Sequence, residues 1–404
     1  TPELLKLDNV VLSPHTGTGT WEGRIAMCDN VCDNIIAWQK KDVNKMNIVP
    51  KISLIMSVYN GEDYLAETID SVLSQTFTEW EFIIINDCST DKTSHMLAEY
   101  AAKDNRIKVH TNETNLRLPS SLNKALSLSQ GKYIARMDAD DICMPDRLQK
   151  QYDFMESNPQ IDLSSCRFMT LKNGVYSSGG CGGKDDDASI KALLLVTNPI
   201  LHPGIIAKAE VIKELCYDKN FTCTEDMELW TRFALSDKRI EILSEYLMIY
   251  RLHDKQITET TLDKQKNEVI KIQKNYLSKL LKPMTEEQEK FYINGIYFRR
   301  NTNILEFIEF YRWAKSANNE TKKFDKEALN YAFFEILAEY KRKGISKPDL
   351  IKGMLQFGIS FLIKEISERK KRARADGIKC IKAAESIGLE VSGGTLEFPS
   401  FNKK

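Results

Sequence analysis

The chain has 404 residues, of which 42% are hydrophobic and 28% are charged, a balance typical of globular proteins with two or three domains. Lysine plus arginine and aspartate plus glutamate each number 57, so the formal net charge is zero. This argues against a nucleic-acid-binding protein, which needs a basic excess to neutralise phosphates. No apolar run approaches the about 20 residues that span a bilayer. The nine cysteines are scattered without a C-x-x-C pair, which predicts reduced thiols in a cytoplasmic protein.

Residues 1–50 form a first segment, with one short strand pattern and one helical pattern. Residues 7–20 (LDNVVLSPHTGTGT) resemble the C-terminal end of a D-2-hydroxyacid dehydrogenase, in which the position of His15 holds the acid/base. The chain has no G-x-G-x-x-G dinucleotide motif. We therefore expect this tail to have no activity alone and to be the remnant of a fusion or the end of a longer bifunctional protein.

Residues 51–137 alternate between strand and helix patterns. Strands are predicted at Ile52–Val58, which is an apolar run of strand length, and at Glu81–Ile85, Ile107–Val109 and Tyr133–Met137. Helical spacing of apolar residues occurs between them, at residues 64–73, 93–102 and 120–129. The alternation predicts an α/β fold with a mostly parallel sheet and helices on both faces.

Acidic and polar residues follow these strands, at the edge where open α/β sheets bind ligands. Glu62 comes after the first strand, Asp87 after the second, and Asp138 and Asp140 after the fourth. Carboxylates in an Asp-x-Asp array suit Mg²⁺ or Mn²⁺, which prefer oxygen ligands and keep positions open for phosphate. This arrangement predicts a metal, a diphosphate on the metal and a nucleoside reaching toward the first two strands. The alternative is that these residues only cap helices.

Several motifs resemble, in order and spacing, those of a family 2 glycosyltransferase with the GT-A fold, over about residues 50–255. They lie at residues 52–62, 83–91, 115–124, 133–141, 198–204, 217–218, 224–232 and 250–253. The resemblance implies a Rossmann-like GT-A catalytic domain at residues 51–255, followed by a helical accessory region at residues 256–404. Two positions differ from the family pattern. Ser57 stands where the family often has proline, and Arg117 stands where it often has glycine.

The resemblance also implies which residues hold the donor, a nucleotide sugar with UDP as the expected nucleotide. The residues that would line the nucleotide pocket are Tyr59, Glu62, Asp87, Asp138 and Arg117. Arg117 would add a cation near the donor, at a position where the family often has glycine. Asp87 would accept a hydrogen bond from uracil or its ribose, and Asp138 would contact the ribose or the metal. Asp140 would bind Mn²⁺ or Mg²⁺, with His253 as a second ligand.

For catalysis, the resemblance implies a metal-dependent, inverting hexosyltransferase that uses one base. A sugar hydroxyl becomes nucleophilic when a base takes its proton as the new bond forms. Asp226 would be that base, and Glu225 would keep it oriented, while the metal neutralises the leaving diphosphate. The acceptor would be a glycan or lipid-linked, in the synthesis of a bacterial surface polysaccharide. The alternatives are a non-catalytic glycosyltransferase-like scaffold and a fragment of a dehydrogenase–glycosyltransferase fusion.

For two side chains near the predicted acceptor cleft, the sequence leaves two interpretations open. His202 is either a structural hydrogen-bonding residue or a functional one. Trp230 either lines the cleft or packs beneath it, and its apolar neighbours Leu229 and Phe233 favour packing. The glycine-rich tract at residues 177–187 predicts a mobile loop that ends in a solvated acidic triplet, Asp185–Asp187.

The C-terminal region is almost wholly helical in pattern. Apolar residues recur at helical spacing from Ile351 to Ile366, and a basic cluster follows at residues 369–374. A basic amphipathic helix of this kind can lie on an anionic membrane, which would place a cytoplasmic enzyme peripherally at the inner face of the cell membrane. The alternative, favoured by the width of the apolar face, is a helix docked on the catalytic domain.

Overall fold

The computed structural model of the chain describes residues 50–179, 183–254, 262–297, 302–392 and 395–397. The dehydrogenase-like segment predicted at residues 1–50, with His15, lies outside the described residues apart from Pro50. Within the described part of the chain, no helix has the length and apolar content needed to cross a membrane.

The first half of the fold alternates strands and helices, as predicted. Its elements are β1 (Ile52–Val58), α1 (Leu65–Leu73), β2 (Trp80–Asn86), α2 (Thr93–Lys103), β3 (Ile107–Thr111), α3 (Leu118–Leu128) and β4 (Tyr133–Arg136). β1 pairs in parallel with β2 and β4, and β2 pairs in parallel with β3. Nearly every residue of β1 and β2 is buried, because helices cover both faces of the sheet.

Beyond β4 the sheet is mixed. The next elements are β5 (Ile142–Cys143), α4 (Arg147–Ser157), β6 (Leu163–Lys172), β7 (Val175–Ser178), α5 (Asp187–Leu193), β8 (Ile206–Lys208), α6 (Ala209–Leu215), α7 (Glu225–Leu235) and β9 (Ile240–Arg251). β8 is antiparallel to both β4 and β6, whereas β9 is parallel to β6. The mostly parallel character expected from the sequence therefore holds for β1–β4, and the later strands add antiparallel pairs.

The last part of the chain is helical, as predicted, apart from a final hairpin. Its elements are α8 (Leu262–Leu280), α9 (Glu286–Phe291), a π-helical segment (Tyr292–Tyr297), α10 (Ile304–Thr321), α11 (Lys326–Arg342), α12 (Lys347–Met354), α13 (Ile359–Ser386), β10 (Glu390–Ser392) and β11 (Thr395–Glu397). β11 pairs with β7, so the hairpin extends the edge of the sheet. One hydrophobic cluster contains Ile55 and Ile83 of the sheet together with Phe307, Tyr311 and Phe333 of the helices. The division into domains at residue 255 stays a prediction.

Two acids of the triplet after the glycine-rich tract, Asp185 and Asp187, are partly buried and bonded to the protein, so the interpretation as a solvated surface is wrong for them, whereas Asp186 is exposed. Asp185 accepts a hydrogen bond of 2.7 Å from Nη2 of Arg167, which is only 2% exposed. Asp186 caps α5 through the Ser189 amide, and Asp187 accepts from the amide of Ile240. Burial raises the pKa of Asp185 to about 6, and the Arg167 charge opposes this rise. A buried arginine needs a counter-charge, which the sequence pattern alone does not reveal.

Candidate active site

A cleft of about 750 Å³ lies at the carboxyl ends of β1, β2 and β4. This is the edge at which the parallel part of an α/β sheet exposes the loops that follow its strands. Further parts of the wall come from the loop before α3 and its first residue, from Phe168 of β6, from residues 198–203, from the first residues of α7 and from the end of β9. Gln265 of α8 also lines it, so the helical region contributes to the cleft.

Eight of the nine predicted site residues line this cleft. They are Tyr59, Asp87, Arg117, Asp138, Asp140, Glu225, Asp226 and His253. The ninth, Glu62, is not part of the lining, although its neighbours Gly61 and Asp63 are, so its placement in the nucleotide pocket stays a prediction. Its carboxylate accepts from the Lys92 amide at 3.1 Å, and its own amide donates to Asp91, so it is tied to the start of α2.

Asp87 is buried and organises the loop before α3. Its Oδ1 accepts hydrogen bonds from Asn112 Nδ2 at 2.7 Å and from the Leu116 amide at 2.8 Å. Its Oδ2 accepts from the Arg117 amide at 2.9 Å. A carboxylate has about four lone-pair positions, so capacity remains for a ligand. Direct contact of Asp87 with a nucleotide stays a prediction.

Arg117 adopts a backbone conformation that is otherwise almost confined to glycine. Its φ is 70° and its ψ is 159°, and two hydrogen bonds hold its amide, one to Asp87 and one to Asn115. This geometry suits glycine, the residue that the family resemblance implies at this position. The side chain is exposed, lines the cleft and forms no ion pair with any described residue.

Three carboxylates after β4 converge on one point. Asp138, Asp140 and Asp141 each offer an oxygen, and these atoms lie within 4.8 Å of one another. Both oxygens of Asp138 accept from the buried guanidinium of Arg136, at 2.8 and 2.5 Å. Asp140 Oδ2 lies 2.9 Å from Nε2 of His253. We call Asp138, Asp140 and Asp141 the acidic trio.

The acidic trio fits a divalent cation. Burial and the neighbouring Asp140 charge both raise the pKa of Asp138, although Arg136 opposes them, and the pKa of Asp141 rises for the same two reasons. Asp141 Oδ1 accepts from the Arg251 amide, whereas its buried Oδ2 has no hydrogen-bond partner among the described residues. A bound cation would offset the mutual repulsion and satisfy this oxygen. Asp141 was not among the predicted ligands, although it adjoins Asp140 in the sequence.

Asp226 lies in the first turn of α7, where the helix dipole favours a negative charge. Its Oδ2 accepts from Asn198 Nδ2 at 2.8 Å, and its Oδ1 accepts from the Met227 amide at 2.7 Å. Burial raises the pKa of Asp226, while these two hydrogen bonds and the Arg136 charge counteract the rise. Asp226 is therefore a carboxylate with a raised pKa, held in one orientation within the cleft.

Glu225 differs from its neighbour. Burial, followed by the Asp226 charge, raises the pKa of Glu225 to about 8, so near neutral pH it is largely protonated. Its Oε1 lies 3.7 Å from Nδ1 of His202, whose own pKa is lowered by burial. Both carboxyl groups therefore have raised pKa values, and the hydrogen bonds from Asn198 and Met227 favour the charged form of Asp226.

His202 lines the cleft, and Trp230 packs behind it. His202 is buried, its Nε2 bonds to the Tyr217 hydroxyl at 2.8 Å, and its ring packs edge-on against Trp230. The indole of Trp230 is fully buried and does not line the cleft. The packing interpretation of Trp230 is thus confirmed, and His202 has the contacts of a structural residue.

Sequence reasoning gave no role to three further cleft residues. Arg136 donates hydrogen bonds to Asp138. Its position at the end of a strand, two residues before an Asp-x-Asp array, could have indicated this contact from the sequence. Asn198 orients Asp226 from 28 residues away. Gln265 comes from the helical region, where no motif marked it.

Comparison with known proteins agrees with this geometry. Residues 53–179 match the family described as glycosyl transferase family 2. An uncharacterized glycosyltransferase of Methanocaldococcus jannaschii is 36% identical over 220 residues, which cover 54% of this chain and 76% of that protein. The O-antigen biosynthesis glycosyltransferase WbnJ of Escherichia coli is 33% identical over 223 residues, covering 54% of this chain and 85% of WbnJ.

A solved structure shows the same fold. The crystal structure of S. aureus TarS residues 1–349 in complex with UDP-GlcNAc superimposes with a TM-score of 0.51 at 18% identity, covering 87% of this chain and 97% of that one. The α/β architecture with its helical C-terminal region is thus a GT-A-like glycosyltransferase fold. The identities of the two relatives over most of their own length, together with the family match, show that this chain belongs to glycosyltransferase family 2.

Proposed function

We propose that this protein is an inverting, metal-dependent hexosyltransferase, which moves a sugar from a UDP-linked donor to a hydroxyl of a glycan or lipid-linked acceptor. One observation supports this above the others. A single cleft contains both an acidic trio suited to a divalent cation and a separate, oriented carboxylate at a helix N-terminus. A non-catalytic scaffold has no need for either group, and no feature of the described residues favours that alternative.

The donor half of the cleft would hold the nucleotide and the metal. The nucleotide would contact Tyr59, Asp87 and Asp138, and Arg117 would approach the diphosphate as a cation. Asp140 and His253 would hold Mn²⁺ or Mg²⁺, with the free oxygen of Asp141 close by. The ion supplies charge neutralisation to the leaving diphosphate.

The catalytic half of the cleft would activate the acceptor. Asp226 would take the proton of the attacking hydroxyl, and a raised pKa makes it a stronger base than an ordinary aspartate. Asn198 would fix the orientation of Asp226, and the protonated Glu225 beside it would add no competing charge. Because one base acts and no second carboxylate is needed as nucleophile, the anomeric configuration would invert.

The named functions of related proteins support the donor and the pathway of this proposal. WbnJ is named for O-antigen biosynthesis, and the TarS crystal holds UDP-GlcNAc. We infer a place in surface polysaccharide synthesis at the cytoplasmic side of the membrane. A peripheral contact through the basic amphipathic C-terminal helix would bring the enzyme to lipid-linked acceptors.

Calorimetric titration with UDP tests the proposal directly. We expect UDP to bind only when Mn²⁺ is present, because the diphosphate would meet the repulsive acidic trio without it. GDP should bind more weakly. Failure of every nucleotide to bind in the presence of Mn²⁺ would contradict a donor site. Binding of NAD would contradict the expectation that the dehydrogenase-like segment at residues 1–50 has no activity.

Arg117→Gly should have opposite effects on the stability of the fold and on the affinity for the donor nucleotide. Glycine adopts the observed φ of 70° without strain, so we expect the free energy of unfolding to rise by about 1 kcal/mol. The loss of the cation should weaken Mn²⁺-dependent UDP binding about fivefold to tenfold. Asn173→Gly is a matched control, because Asn173 also has a positive φ but lies outside the cleft. If Arg117→Gly and Asn173→Gly leave UDP affinity equally unchanged, the side chain of Arg117 has no role in binding.

A further inference from the structure

Exposed isoleucines cluster on the outer face of α12 and α13. Among the described residues, seven of the twelve exposed large hydrophobic side chains lie between residues 351 and 381. They are Ile351, Leu355, Ile359, Ile363, Ile366, Ile378 and Ile381. Ile359 and Ile363 are each 67% exposed. Scattered apolar residues are ordinary on a surface, whereas a cluster of this kind marks an interaction site.

Four of these isoleucines belong to a stripe along α13, whereas Ile351 and Leu355 precede that helix. Ile359, Ile363, Ile366, Lys370, Arg374 and Ile381 follow one another at intervals of three, four or seven residues, so they share one helix face. At 1.5 Å per residue the stripe is about 33 Å long. Ile363 and Ile366 line a surface groove together with Lys370, Lys371 and Arg374. We call this face, from Ile359 to Ile381, the α13 stripe.

The opposite face of α13 packs on the protein. Phe361 and Leu362 contact the main hydrophobic cluster, and Cys380 and Ala384 are buried against the end of the sheet. The helix is thus docked, as the favoured interpretation of its sequence expected. Docking leaves the α13 stripe uncovered by any described residue.

Six of the eight cations of α13 lie on the docked side or on the α13 stripe; of the other two, Lys364 pairs with Glu327 and Lys382 is exposed. On the docked side, each is paired across the interface or along the helix: Arg369 with Glu335, Arg372 with Glu365, and Lys379 with Glu245. On the stripe, Lys370, Lys371 and Arg374 form no ion pair with any described residue. Of the four acids of α13, Glu365 and Asp376 lie on the docked side, with only 2% and 15% of their side chains exposed. Glu368 pairs with Arg372, and Glu385 is exposed beyond the end of the stripe at Ile381. The α13 stripe therefore combines apolar side chains with uncompensated positive charge.

We propose that the α13 stripe binds the surface of an anionic lipid bilayer. The isoleucines would enter the boundary between headgroups and acyl chains, and the three cations would contact lipid phosphates. Charge complementarity selects this occupant. A second copy of the chain would bring the same unpaired cations face to face across a symmetric interface, which like-charge repulsion disfavours.

Vesicle flotation with the full chain tests the proposal without requiring turnover. We expect binding to vesicles of phosphatidylcholine mixed with phosphatidylglycerol, weak binding to phosphatidylcholine alone, and release of the protein at high salt. The triple variant Lys370→Gln, Lys371→Gln, Arg374→Gln should lower the partition coefficient about 100-fold, at about fivefold per cation. The double variant Ile359→Gln, Ile363→Gln should lower it at least about tenfold.

Matched controls separate the α13 stripe from general surface properties. Lys364→Gln removes a cation of the same helix that is paired with Glu327, and Leu305→Gln removes a 62% exposed apolar residue of α10. Neither control should change vesicle binding. The proposal is overturned if the chain ignores anionic vesicles, or if the controls reduce binding as much as the stripe variants. It is also overturned if the stripe variants abolish a dimer seen by analytical ultracentrifugation while vesicle binding is unchanged.

Discussion

Asp226→Asn is expected to lower kcat about 100- to 10,000-fold, because an amide cannot take the proton of the attacking hydroxyl. Asparagine keeps the size of the side chain, and its single amide oxygen can still accept the hydrogen bond from the Met227 amide. The hydrogen bond from Asn198, which reaches the other oxygen of Asp226, is lost, but the fold and UDP binding should persist. The measurement is steady-state turnover of a UDP-sugar, with calorimetry of UDP on the same preparation. Asp146→Asn serves as the control, since it removes the same charge from an exposed pair outside the cleft. Near-normal turnover by a folded Asp226→Asn protein would refute the assignment.

The pH dependence of kcat follows from the same residue. A base with a raised pKa is lost by protonation as the pH falls, so kcat should decline at a higher pH than an ordinary aspartate would give. The hydrogen bond from Asn198 lowers the pKa of Asp226, and Asn198→Ala should therefore move this acidic limb to still higher pH. An unmoved limb would show that Asn198 does not act through Asp226.

Asp140→Asn is expected to weaken Mn²⁺ binding about 100-fold or more, a larger effect than the loss of a residue outside the coordination shell. The neutral amide removes one of the three charges that converge after β4. Direct titration of Mn²⁺, followed by its electron paramagnetic resonance signal, gives a measurement that does not depend on turnover. Asp63→Asn is the control, because Asp63 lines the same cleft but is not part of the acidic trio. Equal Mn²⁺ affinity of the wild type and Asp140→Asn would remove Asp140 from the metal site.

His253→Ala addresses the second proposed ligand. A loss as large as that of Asp140→Asn is expected if His253 binds the ion. A loss of only about tenfold would instead make His253 a hydrogen-bond partner that orients Asp140, in line with their separation of 2.9 Å.

The sheet and its catalytic edge were predictable because local signals determine them. β1, β2 and β4 are mainly apolar runs buried on both faces, and β3 is a partly buried edge strand. The polar residues that follow these strands meet at one edge by the geometry of parallel strands. Asp87, Asp138 and Asp140 therefore came together as expected. Glu62 lies in the same loop region, but its carboxylate accepts a hydrogen bond from the amide just before α2. Sequence spacing cannot decide whether such a carboxylate binds a ligand or a backbone amide.

Contacts between distant segments were not predictable in this way. Asn198 meets Asp226 only because the chain between them folds back across β8, and Asp185 is neutralised by Arg167 from a neighbouring strand. The apolar residues at helical spacing in residues 351–366 do not all lie on one face of the structure. Phe361 and Leu362 pack inward, whereas Ile359 and Ile363 remain outside. Helical spacing identifies an apolar helix, but the tertiary structure decides which of its residues are covered.

The hydrophobic cluster shared by the sheet and the C-terminal helices limits how this enzyme can be shortened. Phe307, Tyr311 and Phe333 belong to the same cluster as Ile55 and Ile83, so a protein that ended at residue 255 would expose that cluster to water. It would also lack Gln265 from the wall of the cleft. The helical region therefore differs from a detachable module joined by a linker. Its loss by a nonsense mutation or by proteolysis would remove activity together with folding, even though every acid of the acidic trio would still be present in the sequence.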